Sequence, residues 1–290
     1  MRYSNLAMAA VVALVMMTVL TVPAREANAG LDAQQSCRAD IDRLSSRYLV
    51  GLLRVRQRCL KKVFRGRLPL ATDCIEADGD DATQARLATL RDRLGAGLGS
   101  RCAGVNYTAL GYPGRCRDTN PPASTFDVLD IESCIIDEHG RTVAHLLNME
   151  FPPEQSLPGR FVRCVAGVGG KAADMVRLEV RARHRCLFES ETNSVTDLLC
   201  REPMPPYGGG TGDSVTNKRV IRGYAGLLSG TPGACRGIDV DFLGYTDDCV
   251  DTTGGRFNSF DLKLCLFEDH RATALDAIEV AYPAEPVCGD

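Results

Sequence analysis

Residues 54–59 read Arg-Val-Arg-Gln-Arg-Cys, and residues 181–186 read Arg-Ala-Arg-His-Arg-Cys. Two such hexapeptides, each closing on a cysteine, point to an internal repeat, and the cysteines around them mark its extent. One set is Cys37, Cys59, Cys74, Cys102, Cys116 and Cys134; the other is Cys164, Cys186, Cys200, Cys235, Cys249 and Cys265. Successive separations are 22, 15, 28, 14 and 18 in the first set and 22, 14, 35, 14 and 16 in the second. Further residues keep the register. Leu110-Gly111-Tyr112 matches Leu243-Gly244-Tyr245, Glu138-His139 matches Asp269-His270, and Phe151-Pro152 matches Tyr282-Pro283. The chain reads as one six-cysteine module used twice, over residues 30–152 and 160–290, joined by a proline-rich linker at 153–159. In the second copy, Pro203 to Asp213 (PMPPYGGGTGD) stands where the first has the acidic stretch Ala77 to Asp81, and it lengthens the third spacing.

Within a module the apolar pattern is helical. Cys37, Ile41, Leu44, Tyr48, Leu52, Val55, Cys59 and Val63 recur at steps of three and four, one face of a long helix. Ser36 is placed to cap it, Asp40 and Asp42 to sit early, Lys61, Lys62 and Arg65 to sit late, and Gly66 and Pro69 to stop it. The second copy repeats the face with Cys164, Val168, Ala172, Met175, Ala182 and Cys186, weakened by Gly167, Gly169 and Gly170. Leu87, Leu90, Leu94, Leu98 and Cys102 mark a second helix from near Asp81. The last element, Phe126 to Met149, reads as a helix interrupted at Gly140; Phe260, Leu262, Leu264 and Leu266 alternate as a strand would. The expected fold class is all-α, two tandem disulfide-stapled three-helix modules, with α+β and a short strand in each last element as the alternative.

Helix length also selects disulfide partners. The ends of a continuous helix from Cys37 to Cys59 lie roughly 33 Å apart at 1.5 Å per residue, whereas a disulfide needs Cα atoms within about 7 Å. Each end must therefore join a different neighbour. An antiparallel second helix brings Cys102 to Cys37 and leaves Cys74 near Cys59 and Cys116 for Cys134. The same reasoning pairs Cys164 with Cys235, Cys186 with Cys200 and Cys249 with Cys265. Cys288 remains, as a free thiol or the link of a disulfide dimer.

Arg2, the apolar run Leu6 to Val22 and Ala27-Asn28-Ala29 form a secretory signal peptide over residues 1–29, of bacterial character. All thirteen cysteines follow it, and no Cys-x-x-Cys occurs, which removes the spacing signatures of zinc sites, thioredoxin-like centres and covalent haem. The compartment expected is periplasmic or extracellular, with no stable transmembrane anchor and an extracellular or envelope partner. A net charge of −3 gives no general attraction to nucleic acid.

Five stretches invite chemistry. Gly208 to Ser214 (GGGTGDS) lacks the Lys-Ser/Thr of a phosphate-binding loop and the Asp-x-x-His of a Gly-Asp-Ser esterase. His139 and His270 follow carboxylates, but neighbours on a helix diverge by about 100°, so neither pair chelates an ion. Asp239, Asp241, Asp247, Asp248 and Asp251 lack the order of an EF-hand and read as a solvated acidic loop. Arg54, Arg56, Arg58, Lys61, Lys62, Arg65 and Arg67 form a run without an acid, and Arg54, Arg56 and Arg58 are the candidate contacts for an anionic partner. No cofactor, metal ligand set or catalytic constellation is assigned. The sequence favours a secreted, non-catalytic binding or structural protein, with a hydrolase acting in a cleft between the modules as the alternative.

Overall fold

In both halves the last element begins with a capping box. Asp127 accepts from the backbone of Leu129 and Asp130 while the Asp130 carboxylate accepts from the Asp127 N–H, and Asn258 with Asp261 repeats the arrangement. These caps start helices, which settles the strand alternative. Along the last element of the second half the buried residues include Leu262, Leu266, His270, Ala274, Ala277 and Ala281, spaced by three and four, while Phe260 stays exposed.

The computed structural model describes residues 33–76, 79–117, 126–151, 159–192, 200–201, 214–245, 249 and 256–283. Among them run α1 (Ala33–Phe64), α2 (Asp81–Arg101) and α3 (Val128–Glu150) in the first half, then α4 (Gly159–Thr192), α5 (Ser214–Ala234) and α6 (Ser259–Ala281) in the second, with no strand. The fold is all-α. Residues 1–29, the linker at 153–158 and Cys288 lie outside the described residues.

α1 begins at Ala33, so Ser36 falls within its first turn and does not cap it; no acid lies in that turn. The stop is as read: Gly66 turns the chain at φ +65°, where a side chain would be strained. α3 continues through Gly140, and α4 runs unbroken through Gly167, Gly169 and Gly170. The α4 glycines serve close approach. A Cβ on Gly167 would stand 2.5 Å from Ala234 Cβ, and one on Gly169 would stand 2.8 Å from the Phe151 ring.

Six disulfides join Cys37–Cys102, Cys59–Cys74, Cys116–Cys134, Cys164–Cys235, Cys186–Cys200 and Cys249–Cys265. These are the pairs that helix length selects. Bridges of this number form in an oxidising environment. No helix among the described residues is long and apolar enough to cross a membrane.

The halves share one core. A single apolar cluster runs from Ile41, Leu49 and Leu52 of α1 through Ile131 and Leu147 of α3 to Val168, Val176, Leu262 and Leu266 of the second half. α1 packs on α4 and α3 on α6 across the seam. The contacts there are reciprocal. Gln57, two residues before Cys59, donates to the Gly169 carbonyl at 2.8 Å, and His184, two residues before Cys186, faces the Asp42 carboxylate. Gly169 lies five residues past Cys164 and Asp42 five past Cys37, so each pair is the other with the halves exchanged.

The tyrosines of the Leu-Gly-Tyr triplets act in the same way. Gly111 and Gly244 adopt φ of +86° and +82° at the ends of matching 3-10 turns, which aims the following Tyr across the seam. Tyr112 O–H donates to the Ala281 carbonyl at 3.0 Å, and Tyr245 O–H donates to the Glu150 carbonyl at 2.9 Å. Each satisfies a carbonyl at a helix end, where intrahelical partners run out.

Candidate functional site

The paired hexapeptides place their arginines alike. The outer ones, Arg54 and Arg58 with Arg181 and Arg185, are exposed, while the central Arg56 and Arg183 are buried. Arg56 donates to the Ile75 carbonyl, and Arg183 donates to the Cys200 carbonyl at 2.7 Å, beside the Glu179 carboxylate at 3.0 Å. Each central arginine thus holds the chain segment that carries the next cysteine. Arg56, one of the three residues read as anionic-partner contacts, faces inward and is 7 % exposed; Arg54 and Arg58 face solvent.

A basic concavity lies one turn further on. Arg58, Lys61 and Lys62 stand at i, i+3 and i+4 on α1, one stripe of the helix, and Arg65 follows its last residue, Phe64. Arg67 follows the Gly66 turn and Arg86 faces them from α2; together the six line a depression of about 240 Å3, with no carboxylate among the described residues of its wall. Lys62 is paired with Asp80 at 2.7 Å, which holds the Asp80 carboxyl below its usual range. Burial and the nearby Arg65 and Arg58 keep the Lys61 ammonium below its ordinary pKa despite the pull of Glu150.

A polar network crosses the seam inside the core. Glu150, fully buried at the end of α3, accepts from Gln57 of α1 and from His270 Nε2 of α6 at 3.1 Å. Asp269 Oδ2 lies 3.4 Å from His270 Nδ1, and Asp269 Oδ1 lies 2.7 Å from Nε2 of His145, which reaches solvent. Burial alone would lower the His270 pKa, but Asp269 and Glu150 outweigh it and push it up to about 9. Burial raises the Glu150 carboxyl above its usual range, and His270 and Gln57 only partly restore it. Asp269 is half-buried, which would raise its carboxyl; its bonds to both histidines hold it below the usual range instead.

The equivalent histidine of the first half has no such company. His139 Nε2 meets Ser45 Oγ at 2.5 Å in the core, and burial depresses its pKa to about 3. A serine beside a neutral imidazole has the composition of a nucleophile–base pair. Here Ser45 and His139 are each 1 % exposed, so the pair ties α1 to α3.

The other sequence candidates are dispersed. Asp239 and Asp241 pair with Arg256, at 2.5 and 3.5 Å; Asp247, Asp248 and Asp251 lie outside the described residues, as does Gly208 to Asp213, with Ser214 opening α5. No group of three metal-ligating side chains comes together among the described residues. Reading the sequence missed Arg86, Glu150, Gln57 and Ser45. Glu150 carried a signal, an acid set between Met149 and Phe151 in an apolar run. No family model, curated protein or solved structure matches the chain.

Proposed function

We propose that the chain is an exported, non-catalytic binding or structural protein, built from two copies of one six-cysteine module packed face to face. The observation that carries this reading is the burial of two pairs that join a serine or a carboxylate to an imidazole in the core; His145 with Asp269 reaches solvent and is the pair the test below addresses. Ser45 with His139 and Glu150 with His270 lie in the core as helix-to-helix ties. The duplication is supported by the reciprocal pairs Gln57–Gly169 and His184–Asp42 and by the exchanged tyrosine caps, the self-complementary pattern of a two-fold interface. The side chains left for partners are surface cations and scattered apolar residues.

The test is a panel of ester, phosphate-ester, peptide and glycoside substrates offered to the oxidised mature protein. No turnover is expected. Turnover that Ser45→Ala or His145→Gln abolishes, with the fold intact, would establish an enzyme and end this reading.

A further inference from the structure

The fold does not account for the basic concavity at the end of α1. A helix C-terminus favours cations, and α1 carries Lys61 and Lys62 in its last turn. α4 has the same length class and is bridged near its ends to the corresponding cysteines of its own half, yet its last turn holds no basic residue. The helix dipole therefore does not require the cluster. Internal pairing does not absorb it either: Arg58, Arg65, Arg67 and Arg86 have no carboxylate partner among the described residues, whereas the second half neutralises Arg185 with Glu189 at 2.6 Å. The chain as a whole carries −3. Six cations in one wall are thus a local concentration against the general charge.

We propose that this concavity binds a ligand bearing two or more phosphate charges, gripped by the guanidinium forks of Arg58, Arg65 and Arg86 with Lys61 at its floor. Guanidinium groups present paired N–H donors that match two oxygens of a phosphate at once, and charge-assisted bonds of this kind are the strong ones. A depression of about 240 Å3 suits a compact polyanion. Lys61 is lowered first by burial and then by Arg65 and Arg58, and an entering anion relieves that repulsion. The proposal deepens the reading of the chain as a binding protein.

The experiment is calorimetric titration of the intact, disulfide-bonded protein with inorganic tripolyphosphate, at low and at physiological salt. Saturable one-site binding is expected, weakening as salt rises because exposed charges are screened over about 8 Å at physiological ionic strength. Arg58→Ser, Arg65→Ser and Arg86→Ser should each lower affinity about tenfold, the loss of one charge-assisted contact. Arg54→Ser, exposed on the same helix but outside the depression, should leave it unchanged. All four positions are exposed, so the variants keep the thermal midpoint of the parent.

A parallel arm uses vesicles of phosphatidylcholine with and without phosphatidic acid. Binding to the acidic vesicles with the same variant sensitivity assigns the phosphate to a lipid headgroup, and binding to tripolyphosphate without the vesicles assigns it to a soluble ligand. Binding to neither, or a loss with Arg54→Ser equal to that with Arg58→Ser, overturns the site. Tripolyphosphate bound and then hydrolysed would keep the site and overturn the non-catalytic reading.

Discussion

His139 and His270 occupy the same place in the two halves, five residues past Cys134 and Cys265, and both are buried. His139 faces Ser45 and is held neutral, its pKa near 3; His270 sits between Glu150 and Asp269 and is held charged, its pKa near 9. The backbone around them is alike. The difference comes from two carboxylates: Asp269, the residue before His270, and Glu150, which closes α3, whereas α6 closes on Ala281. A buried imidazole is held neutral by desolvation unless carboxylates outweigh it, and at His270 two of them reverse the sign of its effect on stability.

Glu150→Ala is the sharpest way to break this contrast. Removing one partner of a buried ion pair leaves the other uncompensated, and a loss of about 3–5 kcal/mol is expected at pH 7 by urea denaturation. Ser45→Ala opposite His139 should cost about 1–3 kcal/mol, because only a neutral bond is lost. Equal losses would erase the distinction.

The disulfides provide a comparison in which the halves should agree. Replacing Cys37 and Cys102, or Cys164 and Cys235, by Ala opens loops of 65 and 71 residues and should cost about 4 kcal/mol in either half. Replacing Cys59 and Cys74, or Cys186 and Cys200, opens loops of 15 and 14 residues and should cost about 3 kcal/mol. In each case denaturation should show one transition, because the core is continuous across the seam. Two separated transitions would mean that the halves fold independently.

The histidines should next be separable by pH. His139 is depressed, so the unfolded chain takes up its proton first and stability falls as pH drops below about 6.5. The loss should reach ~2 kcal/mol by pH 5, at roughly 1.4 kcal/mol per unit. His270 is raised, so its contribution is full below about pH 6.5 and is lost as pH climbs towards 9. His139→Gln should make the acid side of a plot of stability against pH shallower, with His184, depressed likewise to about 3, supplying the slope that remains, and His270→Gln should flatten the alkaline side. If either variant flattened the other side, the assignment of charge would be reversed. The smallest effect belongs to the surface. Arg185→Ala breaks the Arg185–Glu189 pair and should cost about 0.3–0.5 kcal/mol in thermal denaturation, while Arg58→Ser, with no acid to lose, should cost nothing measurable.

Much of this was legible in the residues themselves. The three-four spacing from Cys37 to Val63 predicts α1, and the length of that helix alone forbids Cys37 from meeting Cys59, which leaves the observed bridges. The seam was not legible, because a periodic face says that a helix is covered and not what covers it. Gly167 and Gly169 read as weak points for a helix, yet they are where α5 and Phe151 come close. Arg56 read as surface charge because its neighbours Arg54 and Arg58 are; helical spacing turns the middle one inward. The basic concavity was half legible. Its α1 stripe is in the sequence, but Arg86 reaches it only through the packing of α2.

The order of the six bridges also decides how the oxidised chain carries tension. Pulled by its ends, force enters at Cys37 and leaves at Cys102, passing around nearly all of α1 and α2. It then crosses from Cys116 to Cys134, from Cys164 to Cys235 and from Cys249 to Cys265. The longest helical stretches left to bear the load are those of α3 beyond Cys134 and of α6 beyond Cys265, where Glu150 and His270 meet. Stretching therefore parts the two halves along that contact while the long helices stay shielded, and a reductant is needed before α1 or α4 can be drawn out.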